Sequence, residues 1–256
     1  MTSAESTSRA ALPWQPEDLA LAFTTCPREP SYFSTTLASA LVADPLSVRL
    51  SGIGVAVDAP DLACVAPLTE HARIRWSARD REESARADSL GLHRRACYNY
   101  WRALGLAPAG VRAVLLCEDD VIFRESWLAR LIECLDEMQS RGLEEFILTA
   151  YSTRDHEEPQ LRRGRCYSSY VARCFYATQA MLYPACEVEA IRSLLWKDGV
   201  ERWVAPYDLL IQRRAMERQH LYTTRHSLVQ HIGMKSTGLG KGHTSPSFGR
   251  SWPEPS

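Results

Sequence analysis

Residues 111–120 read Val-Arg-Ala-Val-Leu-Leu-Cys-Glu-Asp-Asp, a nearly continuous apolar run that ends abruptly in three carboxylates. Such a run is typical of a strand buried on both faces of a parallel sheet. Adjacent carboxylates repel one another and lose hydration on burial, so a cation has to compensate them. In parallel α/β sheets, ligands bind at the carboxyl ends of the strands. We therefore predict a ligand site at Glu118, Asp119 and Asp120.

Two interpretations of this acidic triplet remain open. Carboxylate oxygens suit Mg²⁺ or Mn²⁺, which in turn hold phosphates, so the triplet could support a divalent metal that bridges the protein and a diphosphate. Alternatively, the triplet forms a solvated loop whose acidic residues cap the next helix. The position directly after an apolar strand favours the metal interpretation.

The flanking segments predict an alternation of strands and helices. Leu19 to Phe23 and Ile53 to Val57 predict strands, and Tyr32 to Val42 predicts the helix between them. A strand, a helix and a strand at this spacing indicate a parallel α/β unit. Further strands are predicted over 111–117, 146–149, 175–183 and 228–232, and further helices over 88–104, from Ser126, over 187–196 and over 206–218. The predicted fold class is α/β, with a mostly parallel central sheet flanked by helices.

The terminal segments differ in composition from the rest of the chain. Residues 1–17 are polar and punctuated by proline, so we expect them to be disordered. Residues 18–241 carry the alternating pattern without a repeat or a clear linker and are predicted to form a single domain. Residues 242–256 are predicted to be a flexible tail.

Composition excludes several classes of protein. The chain has 256 residues, of which 45% are hydrophobic, too many for a disordered protein. A net charge of −1 argues against a nucleic-acid binder that relies on a basic field. No apolar run reaches the roughly 18–20 residues that a transmembrane helix needs. The start of the chain does not resemble a secretory signal, and its eight cysteines include no C-x-x-C pair, so we expect a cytoplasmic protein with reduced cysteines.

Two motifs resemble a known family. A strand that ends in Glu-Asp-Asp resembles the metal-binding signature of GT-A glycosyltransferases. Residues 231–241 read His-Ile-Gly-Met-Lys-Ser-Thr-Gly-Leu-Gly-Lys. They resemble the H-x-G-x-x-S-S-x-x-G-K segment of the N-acetylglucosaminyltransferase IV family, with Thr237 in place of the second serine.

Three looser matches point to the same family. Arg95 and Asn99 resemble an R-x-x-x-N pattern on the helix before the acidic strand. Residues 25–32 are similar to the first loop of the family, with one residue fewer between Glu29 and Ser31. Residues 178–180 are similar to a Gly-Thr-Gln segment, with alanine at position 177 where the family has glycine.

The resemblance implies a GT-A-like, Rossmann-like fold and a metal-dependent donor site. It implies Mn²⁺ or Mg²⁺ held by Asp120 and by His231, while Glu118 and Asp119 contact the ribose or a metal-bound water. The alternative for His231 is a histidine that packs at a strand end. The donor implied is a UDP-sugar, with UDP-N-acetylglucosamine as the expected form, and the transfer implied is inverting.

Four further residues are candidates for contacts with the nucleotide-sugar. Arg28 in the first loop could face the nucleotide, or it could be solvated. Arg95 and Asn99 lie one turn apart on a helix and could contact the nucleotide, support the acidic loop, or form a solvated face. Lys241 lies in a segment rich in backbone donors that could close over phosphates, although a disordered basic tail would have the same composition.

The catalytic base is the most open assignment. An inverting transferase needs a carboxylate near the acceptor hydroxyl. Asp208 resembles the acidic residue in a late helix of related enzymes, but an acid after Pro206 could equally stabilise a helix N-terminus. Asp155, Glu157 and Glu158 are rival candidates.

Three functional hypotheses follow. The first is a metal-dependent glycosyltransferase that moves a sugar from a UDP-sugar to the hydroxyl of an acceptor that the sequence does not identify. The second is a Mg²⁺-dependent nucleotidyltransferase or phosphohydrolase, which would also use carboxylates at a strand end. The third is a non-catalytic module that binds a nucleotide-sugar or a glycan, against which the intact acidic triplet argues.

Overall fold

The computed structural model describes residues 12–251, except 69, 71–72, 152–163, 176–177, 219 and 234–243. The strands are β1 (Leu19–Thr25), β2 (Gly52–Val57), β3 (Ile74–Ser77), β4 (Ala113–Glu118), β5 (Val121–Phe123), β6 (Ile147–Thr149), β7 (Tyr167–Ser169), β8 (Ala180–Pro184), β9 (Leu221–Thr224) and β10 (Val229–His231). The α-helices are α1 (Phe33–Val42), α2 (Arg81–Asp88), α3 (Leu92–Leu104), α4 (Trp127–Ser140), α5 (Ala185–Leu194) and α6 (Tyr207–Arg218).

Two sheets organise these elements. The large sheet has the strand order β3-β2-β1-β4-β8-β6-β9-β7, and the small sheet pairs β10 with β5. Strands β3, β2, β1 and β4 run parallel, and so do β6 and β9, whereas β8 and β7 run antiparallel to their neighbours. The predicted fold class is confirmed, because a large, mostly parallel central sheet lies between helices in a Rossmann-like arrangement.

Strand β4 is buried on both faces, as its apolar run predicts. Leu115 and Cys117 belong to the hydrophobic core on one side of the sheet, while Val114 and Leu116 belong to the core on the other side. Successive side chains of a strand point to opposite faces, so a central strand needs apolar residues at every position. The polar residues of this segment are therefore confined to its carboxyl end.

The predicted helix over 88–104 starts too early, because α3 covers Leu92–Leu104 and the charged stretch before it forms a separate helix, α2. The N–H of Glu83 donates to the Asp80 carboxylate at 2.7 Å, and the N–H of Asp80 donates to the Glu83 carboxylate at 3.0 Å. This reciprocal cap starts α2 at Arg81. Helix α3 begins separately at Leu92, after Gly91.

Two other predicted elements also differ in extent. The predicted strand over 175–183 is shorter, since β8 starts at Ala180 and residues 172–174 form a 3₁₀ turn. The backbone N–H of Phe175 closes that turn by donating to the carbonyl of Ala172 at 3.0 Å. The predicted helix over 187–196 starts earlier, as α5, and continues as a π-helix over Leu195–Glu201.

Both terminal segments contact the folded domain within the described residues. Trp14, in the segment predicted to be disordered, is 6% exposed, and its backbone N–H donates to the Asp136 carboxylate at 2.8 Å. Ser245, in the predicted tail, is buried, and its hydroxyl donates to that of Ser227 at 2.6 Å. Across the described ranges, no helix is both long enough and apolar enough to cross a membrane.

Candidate active site

The carboxyl ends of three parallel strands meet at one edge of the large sheet. Thr24 of β1 pairs in register with Glu118 of β4 on one side and with Ala56 of β2 on the other. The acidic triplet therefore lies on one side of the end of β1, and Asp58, which follows β2, lies on the other side, where its N–H donates to the Thr25 carbonyl at 2.8 Å. This edge is where parallel α/β sheets bind their ligands.

Asp119 is held from the β1 side of the site. It is 6% exposed, accepts a hydrogen bond from the Thr25 hydroxyl at 2.6 Å, and forms an ion pair with Arg28. The Thr36 hydroxyl donates to its backbone carbonyl at 2.8 Å. Burial raises the pKa of the Asp119 carboxyl to about 6, against the opposing effect of the Arg28 charge. Its side chain is therefore held by the protein rather than by solvent.

Asp120 is contacted by both Arg28 and His231. Its Oδ2 accepts from Nη1 of Arg28 at 3.1 Å and lies 3.2 Å from Nε2 of His231. Burial acts to raise the pKa of Asp120, but the hydrogen bond and charge of His231, together with the charge of Arg28, lower the pKa overall. The other oxygen, Oδ1, is buried and has no hydrogen-bond partner among the residues that the structure describes.

The small sheet brings His231 to Asp120. His231 of β10 pairs with Val121 of β5, and the N–H of Ile232 donates to the Asp120 carbonyl at 2.8 Å. Gly233 follows, where an added Cβ would lie 2.3 Å from Asp120 Oδ2 and 2.8 Å from His231 Nε2. Only glycine fits this position without displacing the pair.

Glu118 is turned toward the other side of the sheet edge. Its Oε1 accepts from the Thr178 hydroxyl at 3.1 Å and from the Tyr207 hydroxyl at 2.9 Å. Burial and the negative charge of Asp120 raise the pKa of Glu118 to about 7. Thr178 belongs to one of the looser family matches, whereas no local pattern indicates that Tyr207 would bind a carboxylate.

Arg95 and Asn99 support the strand ends rather than the triplet itself. Nδ2 of Asn99 donates to the carbonyls of Thr25 at 3.4 Å and Ala56 at 3.2 Å. Nε of Arg95 donates to Asp58 at 2.9 Å. Asn99 therefore ties together the ends of β1 and β2, and Arg95 neutralises the acid that follows β2.

Asp58 belongs to the same edge, although sequence patterns did not single it out as a site residue. Besides Arg95, it faces Arg79, whose Nε lies 3.6 Å from Asp58 Oδ1. Burial raises the pKa of Asp58, and the charges of Arg95 and Arg79 oppose that effect. The available signal was its position directly after an apolar strand, the same signal that identified Glu118.

The structure does not bring Asp208 into contact with the triplet. Its Oδ1 accepts from the backbone N–H of Leu209 at 2.9 Å in the first turn of α6. Burial raises the pKa of its carboxyl, and the nearby His93 opposes this. Within the described residues, the contact from this helix to the triplet comes instead from Tyr207. Lys241 lies outside the described residues, as do the rival bases Asp155, Glu157 and Glu158.

The donor set suits a divalent metal that takes further ligands from a substrate. Across the described ranges, no three His, Cys, Asp or Glu side chains form a metal-binding group. Asp120 nevertheless offers a buried, unpartnered carboxylate oxygen, and His231 offers an imidazole nitrogen beside it. Mg²⁺ is commonly bound by one or two protein carboxylates plus substrate phosphates, and imidazole is acceptable to Mn²⁺. The residues present therefore fit such a metal.

Comparisons with known proteins identify no family. No family model matches the chain, and the search among curated proteins found no match. One similar solved structure is that of 4-diphosphocytidyl-2C-methyl-D-erythritol synthase from Anaerococcus prevotii DSM 20548. It is 11% identical, with a TM-score of 0.49, over 88% of this chain and 93% of that chain.

Proposed function

We propose that the protein is a metal-dependent glycosyltransferase that moves a sugar from a UDP-sugar to an acceptor hydroxyl. The observation that carries this proposal is the pairing of Asp120 Oδ2 with His231. The other oxygen of Asp120, Oδ1, is buried and has no hydrogen-bond partner among the described residues. The uridine nucleotide, N-acetylglucosamine as the sugar, and the inverting course come from the motif resemblance.

Asp120 and His231 would hold Mn²⁺ or Mg²⁺, whose chemistry at this place is Lewis-acid stabilisation of the leaving diphosphate. The remaining steps depend on the chain itself. Thr25 and Arg28 hold Asp119, while Thr178 and Tyr207 hold Glu118. Side chains held in this way are oriented before the substrate arrives, which lowers the entropic cost of binding the donor.

The acceptor must lose a proton during transfer, and Asp208 is the proposed base. Its pKa is raised by burial, which brings a carboxylate closer to the range in which it accepts a proton efficiently. It follows Tyr207 directly, and Tyr207 contacts Glu118. The proposed base is therefore the residue that follows one with a direct contact to the donor site.

Thermal unfolding with UDP, with and without Mn²⁺, tests the donor site. UDP at about 100 times its dissociation constant adds about 2.7 kcal/mol of stability. At this size that is a rise in Tm of about 5–10 °C. We expect the rise to require Mn²⁺ and to disappear in Asp120→Asn. The matched control is Asp61→Asn, which makes the same change in an exposed loop.

The reaction itself is tested by the product that is released. Incubation with UDP-N-acetylglucosamine, Mn²⁺ and a panel of sugar acceptors should yield UDP. Release of pyrophosphate from a nucleoside triphosphate, with no UDP from any UDP-sugar, would overturn the proposal in favour of a nucleotidyltransferase. Binding of UDP without any turnover across the panel would favour a binding module.

A further inference from the structure

Arg28 occupies a position between two of the three acidic residues. Its guanidinium pairs with Asp119 and also donates to Asp120 Oδ2 at 3.1 Å. The side chain is 11% exposed, and its guanidinium carbon lies 4.8 Å from the centre of the Tyr32 ring. The protein thus supplies its own cation to the acidic triplet.

This guanidinium contacts the carboxylate that the proposed function assigns to the metal. Asp120 Oδ2 accepts from Arg28 while also facing His231. A divalent cation on Asp120 would stand close to the guanidinium, and like charges at such distances repel strongly at a partly buried site. The metal and Arg28 therefore compete for the same negative charge.

Arg28 also has an unused donor. Its Nε is buried and has no hydrogen-bond partner among the described residues. A guanidinium presents a planar fork of donors that matches phosphate oxygens, including bidentate pairing. A diphosphate arriving with the metal would offer the guanidinium new acceptors at the moment when the metal takes Asp120.

We infer that Arg28 is a counter-ion that couples metal binding to diphosphate binding at this site. Without the nucleotide, the ion pairs that Arg28 forms with Asp119 and Asp120 weaken metal binding. With the nucleotide, Arg28 shifts its charge toward the diphosphate, and the metal and the nucleotide each strengthen the binding of the other by the same factor. This inference rests on the proposed function, since it requires the site to take a metal and a nucleoside diphosphate.

The test measures binding of Mn²⁺ to the full chain by the electron paramagnetic resonance signal of free Mn²⁺, with and without UDP. Titrations are corrected for the Mn–UDP complex that forms in solution. We expect UDP to tighten Mn²⁺ binding by about 5- to 150-fold in the unsubstituted protein, the usual range for coupled sites. Reciprocally, Mn²⁺ should tighten UDP binding by the same factor.

Variants at Arg28 distinguish a counter-ion from a simple nucleotide contact. Arg28→Met removes the charge but retains an apolar stem, so Mn²⁺ should bind about tenfold more tightly without UDP, and the coupling should shrink. A simple nucleotide contact would weaken UDP binding without tightening Mn²⁺ binding. Arg28→Lys keeps the charge and should restore part of the coupling. Arg49→Met is the matched control, because Arg49 pairs with Glu17 on the exposed surface.

The outcomes separate this inference from the proposed function. If UDP leaves the Mn²⁺ affinity of the unsubstituted protein unchanged, the inference is overturned whether or not any variant folds. If Arg28→Met folds and binds Mn²⁺ no more tightly than the unsubstituted protein, the inference also fails. Mn²⁺-dependent binding of UDP in the same experiment would still support the proposed function. Absence of Mn²⁺ binding under every condition would overturn both.

Discussion

Nε2 of His231 lies 3.2 Å from Oδ2 of Asp120, although the two residues are far apart in the sequence. Asp120 follows β4, and His231 ends β10. The pairing of β10 with β5 enforces this proximity, because His231 stands opposite Val121 in the register. A two-stranded sheet beside the main one thus completes the proposed donor site.

The first prediction concerns the glycine beside this pair. In Gly233→Ala, the new Cβ would meet Asp120 Oδ2 at 2.3 Å, so the pair must move. We expect Mn²⁺-dependent UDP binding to weaken by at least about tenfold, equivalent to about 1.4 kcal/mol. Calorimetric titration measures it. Gly249→Ala is the control, since an added Cβ there meets nothing within 4 Å and should leave binding unchanged.

A second prediction concerns pH. The pKa of Glu118 is raised from 4.5 to about 7, so the folded state retains a proton that the unfolded state releases. The corresponding stability is present below about pH 4.5 and is lost as the pH rises through about 7.

Glu118→Gln removes this titration while retaining an oxygen for Thr178 and Tyr207. Chemical denaturation in EDTA should therefore show the unsubstituted protein losing about 2 kcal/mol relative to this variant between pH 5 and pH 8, by the linkage between pKa and stability. Parallel pH profiles for the two proteins would contradict the raised pKa.

The third prediction separates the proposed base from the donor site. Asp208→Asn should leave the Kd of UDP with Mn²⁺ unchanged, because the described contacts of Asp208 do not include the triplet. Sugar transfer should fall by about 10²- to 10⁴-fold, the usual contribution of a general base. Initial-rate measurements with UDP-N-acetylglucosamine provide the readout. Undiminished transfer would assign the base to another carboxylate.

The fourth prediction tests whether Asn99 supports the strand ends or contacts the nucleotide. Asn99 is 5% exposed, and its side-chain amide donates hydrogen bonds to the carbonyls of Thr25 and Ala56. Asn99→Ala would therefore remove one donor from each of these carbonyls. We expect the free energy of unfolding to fall by about 1–3 kcal/mol, the cost of an unsatisfied buried group. The Kd of UDP, measured below the lowered Tm, should change little. A large loss of UDP affinity at unchanged stability would instead mark a direct nucleotide contact.

Much of the α/β framework was predictable because its signals are local. The strands over 19–23, 53–57 and 111–117 appear as apolar runs, since central strands need apolar residues on both faces. Helix boundaries were less predictable. The charged stretch before α3 forms a separate helix, α2, whose start is set by the mutual cap of Asp80 and Glu83.

The candidate site likewise has some features that are local in the sequence and others that depend on the tertiary structure. The sequence by itself determined the acidic triplet at a strand end, because the apolar run and the three carboxylates are contiguous. Only the tertiary structure decided that Arg28 would pair with Asp119 and Asp120, that Tyr207 would bind Glu118, and that Asp58 would stand at the same edge. These contacts join residues far apart in the chain. Their proximity follows from strand order and register, which arise from packing over the whole domain rather than from any local pattern.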